Sequence, residues 1–207
     1  MTFDDLQTGD SVFVDANIFI YHFTNHAKYG AASTRLLERI ELKELIGFTA
    51  SNCLADVAHR LMTIEAMGRM GWPLTALAAR LKRHHAEIPK LSLYQQATAK
   101  VGQLGIQILA ISDQLMLAAT GFGQQFELLT DDAVIVAVMR HQGLTKIASE
   151  DADFDRVAGL TRYGPRLAAS SPPTRLRGSP ACTCSRLPAL RLTLGRTRRD
   201  VIGICSG

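Results

Sequence analysis

The sequence predicts an α/β protein, a three-layer α/β/α sandwich around a central, mostly parallel sheet. Short apolar runs, each about as long as one strand, alternate with longer segments of helical periodicity along residues 1–166. This alternation favours parallel βαβ units, in which helices cover both faces of a sheet. Acidic residues follow several of the apolar runs, at the edge where open α/β sheets bind their ligands.

Five apolar runs are predicted as strands because they are short and bounded by polar or turn residues. In chain order they are SVFVD (11–15), IGFTAS (46–51), GIQILAIS (105–112), FELLT (126–130) and LTKIAS (144–149). The last of them is expected to be the final central strand.

The segments between these runs are predicted as helices. Helical material follows the first strand through about residue 40. In the next helix five apolar residues recur at i, i+3, i+4, i+7 and i+8: Leu54, Val57, Ala58, Leu61 and Met62. This helix is expected to end at Gly68 and Gly71, and the next helix to start at Trp72-Pro73. Three more helices are predicted: one over 91–103, one from Ser112 to Gly121 or Gly123, and one from Asp132 to Gly143.

The composition changes at about residue 167, which divides the chain into a domain (1–166) and a tail (167–207). The tail carries seven arginines and one acid, Asp200, whereas residues 1–166 carry 16 basic and 18 acidic side chains. The tail also holds four of the seven prolines and no sustained periodicity, which is typical of a disordered segment. Two alternatives are a basic arm that binds nucleic-acid phosphates and an out-of-frame C-terminal sequence.

The sequence lacks the patterns of a membrane span, a signal peptide, a zinc site and the common nucleotide-binding motifs. No apolar run approaches the ~18 residues of a membrane span, and the N-terminus lacks the pattern of a signal peptide. A cytoplasmic location is therefore expected. Cys53, the only cysteine before the tail, is predicted to be a small buried residue. The four cysteines lack zinc-site spacing, and neither a GxGxxG nor a GxxxxGK[ST] motif occurs.

Acidic residues are expected to meet at one edge of the sheet. Asp15 ends the first predicted strand, Asp132 follows the fourth, and Asp151 and Asp153 follow the fifth. Asp56 lies near the start of the helix after the second strand, close to the same edge. Carboxylates that converge repel one another unless a cation lies between them, and hard oxygen ligands suit Mg²⁺ or Mn²⁺. The pattern indicates a metal-dependent phosphodiesterase or phosphoryl-transfer centre.

Each acid also has an ordinary structural explanation. Asp132 could stabilise a helix N-terminus, Asp56 could pair with Arg60 at i+4, and Asp15 could cap the following turn. Asp151 and Asp153 could simply make a loop soluble. Such explanations suit single residues better than a set of acids that all follow strands.

Four sequence blocks resemble the PIN domain, in particular the VapC-type toxin ribonucleases of bacterial toxin–antitoxin pairs. In order they are VDANIFIY, LADVAHRLM, LLTDDAVIVAVMRHQGLTKIAS and EDADFDRVAGLTRYGP, between Val12 and Pro165. The resemblance implies a three-layer fold, a Mg²⁺- or Mn²⁺-dependent endoribonuclease that hydrolyses RNA, a homodimer and a small antitoxin protein that blocks the site.

The resemblance also implies roles for individual residues. Asp15, Asp132 and Asp151, with Asp153, match the family's acidic metal-binding positions. Asn17 and Thr130 match supporting polar positions. Asp132 is expected to point into the metal cluster, whereas Asp131 faces solvent or a neighbouring helix end.

Asp56 departs from the family, which usually has glutamate at this position. Aspartate is one methylene shorter, and Mg²⁺ tolerates little deviation from octahedral geometry. Three outcomes follow: a weakened site, a preference for Mn²⁺, or an inactive site. The alternative to a nuclease is therefore a degenerate PIN domain that binds RNA or a partner protein without cleavage. A phosphate-accepting receiver domain is disfavoured, because Lys146 lies inside a predicted strand rather than after it.

Overall fold

The centre of the protein is a five-stranded parallel sheet, seen in a computed structural model that describes residues 1–73 and 75–165. The strands are β1 (Ser11–Val14), β2 (Ile46–Ala50), β3 (Gln107–Leu109), β4 (Lys146–Ala148) and β5 (Thr161–Tyr163). Their order across the sheet is β3-β2-β1-β4-β5, and every pairing is parallel. All five carboxyl ends therefore lie at one edge, with β1 in the middle.

Seven α-helices cover the sheet within the described residues. They are α1 (Ala16–Phe23), α2 (Gly30–Glu41), α3 (Ser51–Met70), α4 (Leu77–Arg83), α5 (Leu93–Gln103), α6 (Asp113–Phe126) and α7 (Thr130–His141). α1 contacts α2 and α3, α3 contacts α5, and α6 packs against α7. Right-handed crossovers place the helices between β1 and β3 on one face and the α6–α7 pair on the other. The predicted three-layer α/β/α fold is thereby confirmed.

The core lies between these layers. Val12, Phe13 and Val14 of the central strand are completely buried, which explains why β1 is a continuous apolar run rather than an alternating one. Residues 133–139 of α7 are buried throughout, so this helix is apolar on all sides. None of the helices in residues 1–73 and 75–165 is long and apolar enough to span a membrane.

One predicted strand is wrong, several predicted helix boundaries are wrong, and one strand was missed. FELLT is not a strand: α6 runs through Phe126, Glu127 ends it with a left-handed backbone (φ 55°), and α7 begins at Thr130. A short apolar run cannot by itself distinguish a strand from the junction between two helices, and in this run only Leu128 is buried. The missed strand is β5, which is the outermost strand on one side of the sheet and has no comparable apolar run in the sequence.

The other errors concern the ends of α3 and α4. Gly68 lies inside α3, and Gly71 alone ends that helix, with a left-handed φ of 64°. Trp72-Pro73 does not start a helix, since α4 begins at Leu77. Trp72 instead packs against a small second apolar cluster that contains Ala66, Leu81 and Leu91. The predicted tail, 167–207, lies outside the described residues.

The two ends of the described chain meet beside β5. Thr2 forms an isolated parallel bridge with Gly164, and the Gly164 N–H donates to the Met1 carbonyl at 2.9 Å. A Cβ added to Gly164 would lie 3.9 Å from both the Met1 and the Ser149 carbonyl oxygens. Residue 1 therefore sits at the carboxyl edge of the sheet, next to the segment that follows β4.

Glu65 of α3 caps α5, and its removal is expected to lower stability. Ser92, the N-cap of α5, makes no side-chain cap bond. The Glu65 carboxylate instead accepts from the N–H groups of Ser92 (3.0 Å) and Leu93 (2.8 Å), and its side chain is only 12% exposed. We expect Glu65→Ala to lower the free energy of unfolding by about 1–2 kcal/mol, because two helix-terminal donors lose their acceptor.

Urea denaturation of the Glu65→Ala protein measures this cost. Glu87→Ala is the matched control, since Glu87 makes only an exposed pair with Lys90 and should cost below about 0.5 kcal/mol. Equal losses in the two variants would contradict a capping role for Glu65.

Candidate active site

Neighbouring central strands bring two of the predicted acids to the same edge. β1 pairs with β4 in the register Phe13↔Ile147 and Val14↔Ala148. Asp15 follows β1 directly, and Asp151 lies three residues beyond the end of β4. The expectation that strand ends deliver these carboxylates is therefore correct for both residues.

Asp132 reaches the same place by a different route. It lies in the first turn of α7, which follows α6 rather than a strand, so the strand-end interpretation is wrong for this residue. The apolar helix α7 is fixed against the core, and its first turn places Asp132 beside Asp151 and Asp153 at the carboxyl edge of the sheet. Asp132 is only 3% exposed, whereas Asp131 is exposed, as the sequence predicted for this pair.

Three carboxylates form the centre of the site. One oxygen from each of Asp132, Asp151 and Asp153 lies within 4.8 Å of the other two. Asp151 is the N-cap of a short 3₁₀ helix (Ala152–Arg156), and its Oδ1 accepts from the Asp153 N–H at 2.9 Å. Asp153 also pairs with Arg156 at 3.0 Å, which offsets part of the negative charge. We call Asp132, Asp151 and Asp153 the three-carboxylate group.

Asp15 lies outside this group and is held firmly beside it. It is 1% exposed, and it accepts from the Ala16 N–H at 2.6 Å, from Asn17 Nδ2 at 2.6 Å and from Ser149 Oγ at 2.7 Å. The first of these bonds makes Asp15 the N-cap of α1. A buried carboxylate with three donors has its position fixed before any ligand binds.

Ser149 links Asp15 to the three-carboxylate group and was missed by sequence reasoning. Its hydroxyl donates to Asp15 and accepts from Asn17 Nδ2 (3.1 Å) and from the Asp151 N–H (3.0 Å). One donor and two acceptors exhaust what a hydroxyl can do, and the residue is completely buried. The available signal was a polar residue that directly follows the apolar end of a predicted strand.

Arg162 of β5 supports the same segment from the other side. Its guanidinium donates to both oxygens of Asp155, at 2.9 and 2.7 Å, and to the Ser149 carbonyl at 3.3 Å. The hydrogen bond from Arg162 is the main reason that the pKa of Asp155 lies below its usual value. Because β5 was not predicted, no sequence signal pointed to this residue.

Of the other predicted site residues, Asn17 contacts Asp15, whereas Thr130 and Asp56 lie outside the three-carboxylate group. Asn17 donates to both Asp15 and Ser149, and its supporting role in the site stays a prediction. Thr130 is the exposed first residue of α7. Asp56 is not in the three-carboxylate group: its side chain is 44% exposed and lies 3.9 Å from Arg60, the i+4 pair considered above. Its role in the site stays a prediction.

Cys53 is buried near Asp15, and its thiol is expected to be unreactive. It is 2% exposed, as predicted, and burial together with the nearby charge of Asp15 raises its pKa to about 12. The thiol therefore stays protonated at neutral pH and acts as a small apolar side chain.

The donor set of the site suits a hard divalent cation. All the candidate ligands are carboxylate oxygens, with no thiolate or imidazole among them, and such oxygens are the ligands that Mg²⁺ and Mn²⁺ prefer. Three carboxylates this close repel one another, and a cation between them removes the repulsion. The geometry therefore fits a divalent ion held by Asp132, Asp151 and Asp153.

The chain is similar to known proteins both in sequence and in fold. The chain is 27% identical over 153 residues to Ribonuclease VapC2 of Methanocaldococcus jannaschii, covering 72% of this chain and 89% of the relative. Among solved structures, VapBC2 from Rickettsia felis, bound to a promoter DNA fragment, superposes with a TM-score of 0.50 at 12% identity, covering 74% of this chain and 98% of that one. VapC20 from Mycobacterium tuberculosis, described as a sarcin-ricin loop cleaving toxin, gives 0.50 at 16% identity, covering 70% and 92%.

The two structural likenesses show that the fold is shared. The sequence profile of the PIN domain matches residues 12–160, which is most of the chain and includes Asp15, Asp56, Asp132, Asp151 and Asp153. The chain belongs to the PIN domain family.

Proposed function

We propose that this protein is a metal-dependent endoribonuclease that hydrolyses RNA phosphodiester bonds and is the toxin of a toxin–antitoxin pair. The observation that carries the proposal is the three-carboxylate group at the carboxyl edge of the sheet, beside the buried Asp15. Ribonuclease VapC2, the relative named above, supports RNA as the substrate.

In this proposal the chain's residues have separate tasks. Asp132, Asp151 and Asp153 would hold a Mg²⁺ or Mn²⁺ ion, which would supply positive charge at the scissile phosphate and lower the pKa of water, so that the water can lose a proton and act as the hydroxide nucleophile. Asp15 completes the negative pocket from β1. Asn17 and Ser149 are positioning residues, since their hydrogen bonds fix Asp15 and the main chain of Asp151.

The assay that tests the proposal is RNA cleavage by the purified, antitoxin-free chain across Mg²⁺ and Mn²⁺ titrations, beside an Asp132→Ala variant. Cleavage that needs the ion and disappears in the variant supports the nuclease. A folded protein that cuts no RNA with either ion contradicts it.

A non-catalytic PIN domain that binds RNA or a protein partner is the second candidate. One observation favours it: Asp56 pairs with Arg60 and stays outside the three-carboxylate group. Retained RNA binding without metal-dependent turnover identifies this alternative.

Asp56→Glu is expected to raise cleavage activity or the affinity for the ion. The extra methylene carries the carboxylate about 1.5 Å further from α3 and brings this position back to the family's usual residue. Activity against Mn²⁺ and Mg²⁺ concentration measures the change. Asp56→Asn is the control, because it keeps the shorter side chain and loses the charge. A clear loss of activity in Asp56→Glu would show that the pocket is built around the shorter acid.

The proposed partners follow from the same relationship. Two copies of the chain forming a homodimer, and a small antitoxin protein that covers the carboxylates, are part of the proposal. It is supported by the structural likeness to a VapBC pair. The nuclease domain is proposed to occupy residues 1–166, and the cytoplasmic location stays a prediction.

A further inference from the structure

A cluster of aromatic rings borders the three-carboxylate group. Tyr21 at the end of α1, and His26 and Tyr29 in the segment before α2, have ring centroids 4.8, 5.1 and 5.4 Å apart in the three pairings. The His26 and Tyr29 rings are stacked, with 13° between their planes. We call Tyr21, His26 and Tyr29 the aromatic cluster.

Two connections place this cluster next to the site. The Tyr29 hydroxyl donates to Glu150 Oε1 at 3.2 Å, and Glu150 is the residue immediately before Asp151. Tyr21 follows Asn17 by four residues along α1, so both side chains lie on one face of that helix. Asn17 in turn donates to Asp15.

The rings do not serve as hydrophobic core. The core of the described residues includes Ile18, Phe19 and the partly buried Ile20 and Phe23 of α1, but not the rings of the aromatic cluster. All three cluster residues are half-buried, so part of each side chain faces solvent. Burial is the main reason that the pKa of His26 lies below its usual value, with the charge of Lys28 adding to it, so the ring is neutral near pH 7.

A positive charge accompanies the rings. Lys28 is exposed, and its Nζ lies 4.8 Å from the centre of the Tyr29 ring. Aromatic faces next to a lysine, beside a site for a phosphodiester, match what single-stranded nucleic acids require: stacking for a base and a cation for the backbone. The acids of the site alone cannot attract an anionic strand, so a neighbouring surface has to supply affinity.

We propose that the aromatic cluster is a stacking subsite for one base of single-stranded RNA, with Lys28 beside its phosphate, adjacent to the scissile bond at the three-carboxylate group. This rests on the proposed function for the identity of the nucleic acid. It adds that the strand is bound unpaired, since a base within a duplex cannot stack on a protein ring.

Binding, rather than cleavage, tests the subsite. The full-length chain carrying Asp132→Asn is titrated with a short single-stranded RNA of mixed sequence, and with copies in which one nucleotide at a time is abasic. Tyr29→Leu is expected to weaken binding of the intact RNA by about 5- to 150-fold. Removing the stacked base should weaken binding to the parent by a similar factor and have little effect on Tyr29→Leu, because both changes remove one contact.

Three further variants separate stacking from other causes. Tyr29→Phe keeps the ring and loses only the hydroxyl bond to Glu150, so it should bind RNA nearly as well as the parent. His26→Ala removes a second ring of the cluster and should also weaken binding, which covers the case in which Tyr29→Leu fails to fold. Tyr94→Leu is the matched control, because Tyr94 is a half-buried tyrosine of α5 whose hydroxyl accepts only from Gln95.

The outcomes are distinguishable from those of the cleavage assay. Unchanged RNA affinity in folded Tyr29→Leu and His26→Ala, or an abasic penalty that is equal in the parent and in Tyr29→Leu, overturns the subsite. A wild-type chain that cuts no RNA would overturn the proposed nuclease, yet a non-additive loss of binding would still establish the subsite.

Discussion

Asp132→Asn is expected to abolish RNA cleavage and, without divalent ions, to raise the melting temperature. If Asp132 is a ligand of the ion, as proposed, its loss should lower the cleavage rate more than about 100-fold, because several kcal/mol of transition-state stabilisation would depend on the ion. The rise in stability comes from the carboxylates themselves. Asp132, Asp151 and Asp153 repel one another across less than 4.8 Å, and the amide removes one of the three charges.

The sign of the change in stability depends on the size of the carboxylate repulsion relative to the attraction between Asp132 and the N-terminus of α7. Two unit charges about 5 Å apart interact by about 3 kcal/mol at an effective dielectric constant of about 20. Arg156 and solvent reduce that repulsion, and the lost attraction to the N-terminus of α7 costs up to about 1 kcal/mol. A net gain of about 1 kcal/mol remains, which corresponds to a melting temperature about 2–4 °C higher.

Thermal melts with EDTA and with Mg²⁺ or Mn²⁺ measure this prediction. The wild-type chain should gain stability as the ion is added, whereas Asp132→Asn should respond weakly. Asp131→Asn is the matched control, since Asp131 is the exposed neighbour in the same helical turn and lies outside the three-carboxylate group. Identical melts and identical ion responses for the two asparagine variants would show that the three carboxylates do not act as one site.

Asp15→Ala is expected to lose activity and stability together. The Asp15 carboxylate accepts from Ala16, Asn17 and Ser149 while it is almost completely buried. Alanine removes the cap of α1 and leaves buried donors without an acceptor, at a cost of about 3 kcal/mol in the free energy of unfolding. The melting temperature should fall by about 6–12 °C.

Ser112→Ala provides the comparison for Asp15→Ala. Ser112 is also an N-cap with a side-chain bond, to the Leu115 N–H at 3.3 Å, but it belongs to no buried network. It should therefore cost about 1 kcal/mol or less. If the two variants lose the same stability, the bonds from Asn17 and Ser149 contribute nothing beyond an ordinary helix cap.

These two acids show what the sequence could and could not predict. The position of Asp15 was predictable, because an aspartate that directly follows a strongly apolar strand lies at the carboxyl edge of a parallel sheet. Asp132 does lie beside Asp151 and Asp153, but it was placed there for a wrong reason: FELLT was predicted as a strand, and the residue belongs to a helix that follows another helix. The expectation that Asp132 points inward came from the family resemblance, because the apolar run after it has no polar face that would orient the helix.

Sequence periodicity could not identify residues whose role depends on contacts between distant parts of the chain. Ser149 and Arg162 matter because β4 and β5 are neighbours, and the three-residue β5 carries no apolar run that marks it as a strand. Asp56 shows the converse limit. Its spacing suggested both a site acid and a partner of Arg60, and only the folded chain shows the ion pair. Sequence patterns define elements well, whereas the contacts between distant elements decide which side chains meet.

The contact between residue 1 and Gly164 has a consequence for how this protein can be handled and re-engineered. The Met1 carbonyl accepts from the Gly164 N–H at 2.9 Å, at the sheet edge where the Ser149 carbonyl also lies. A purification tag fused ahead of Met1 would emerge beside the segment that carries Asp151 and Asp153, and we expect it to obstruct access to the three-carboxylate group. The same closeness means that residue 165 can be joined to residue 1 by a short linker, so the domain is a natural candidate for circular permutation.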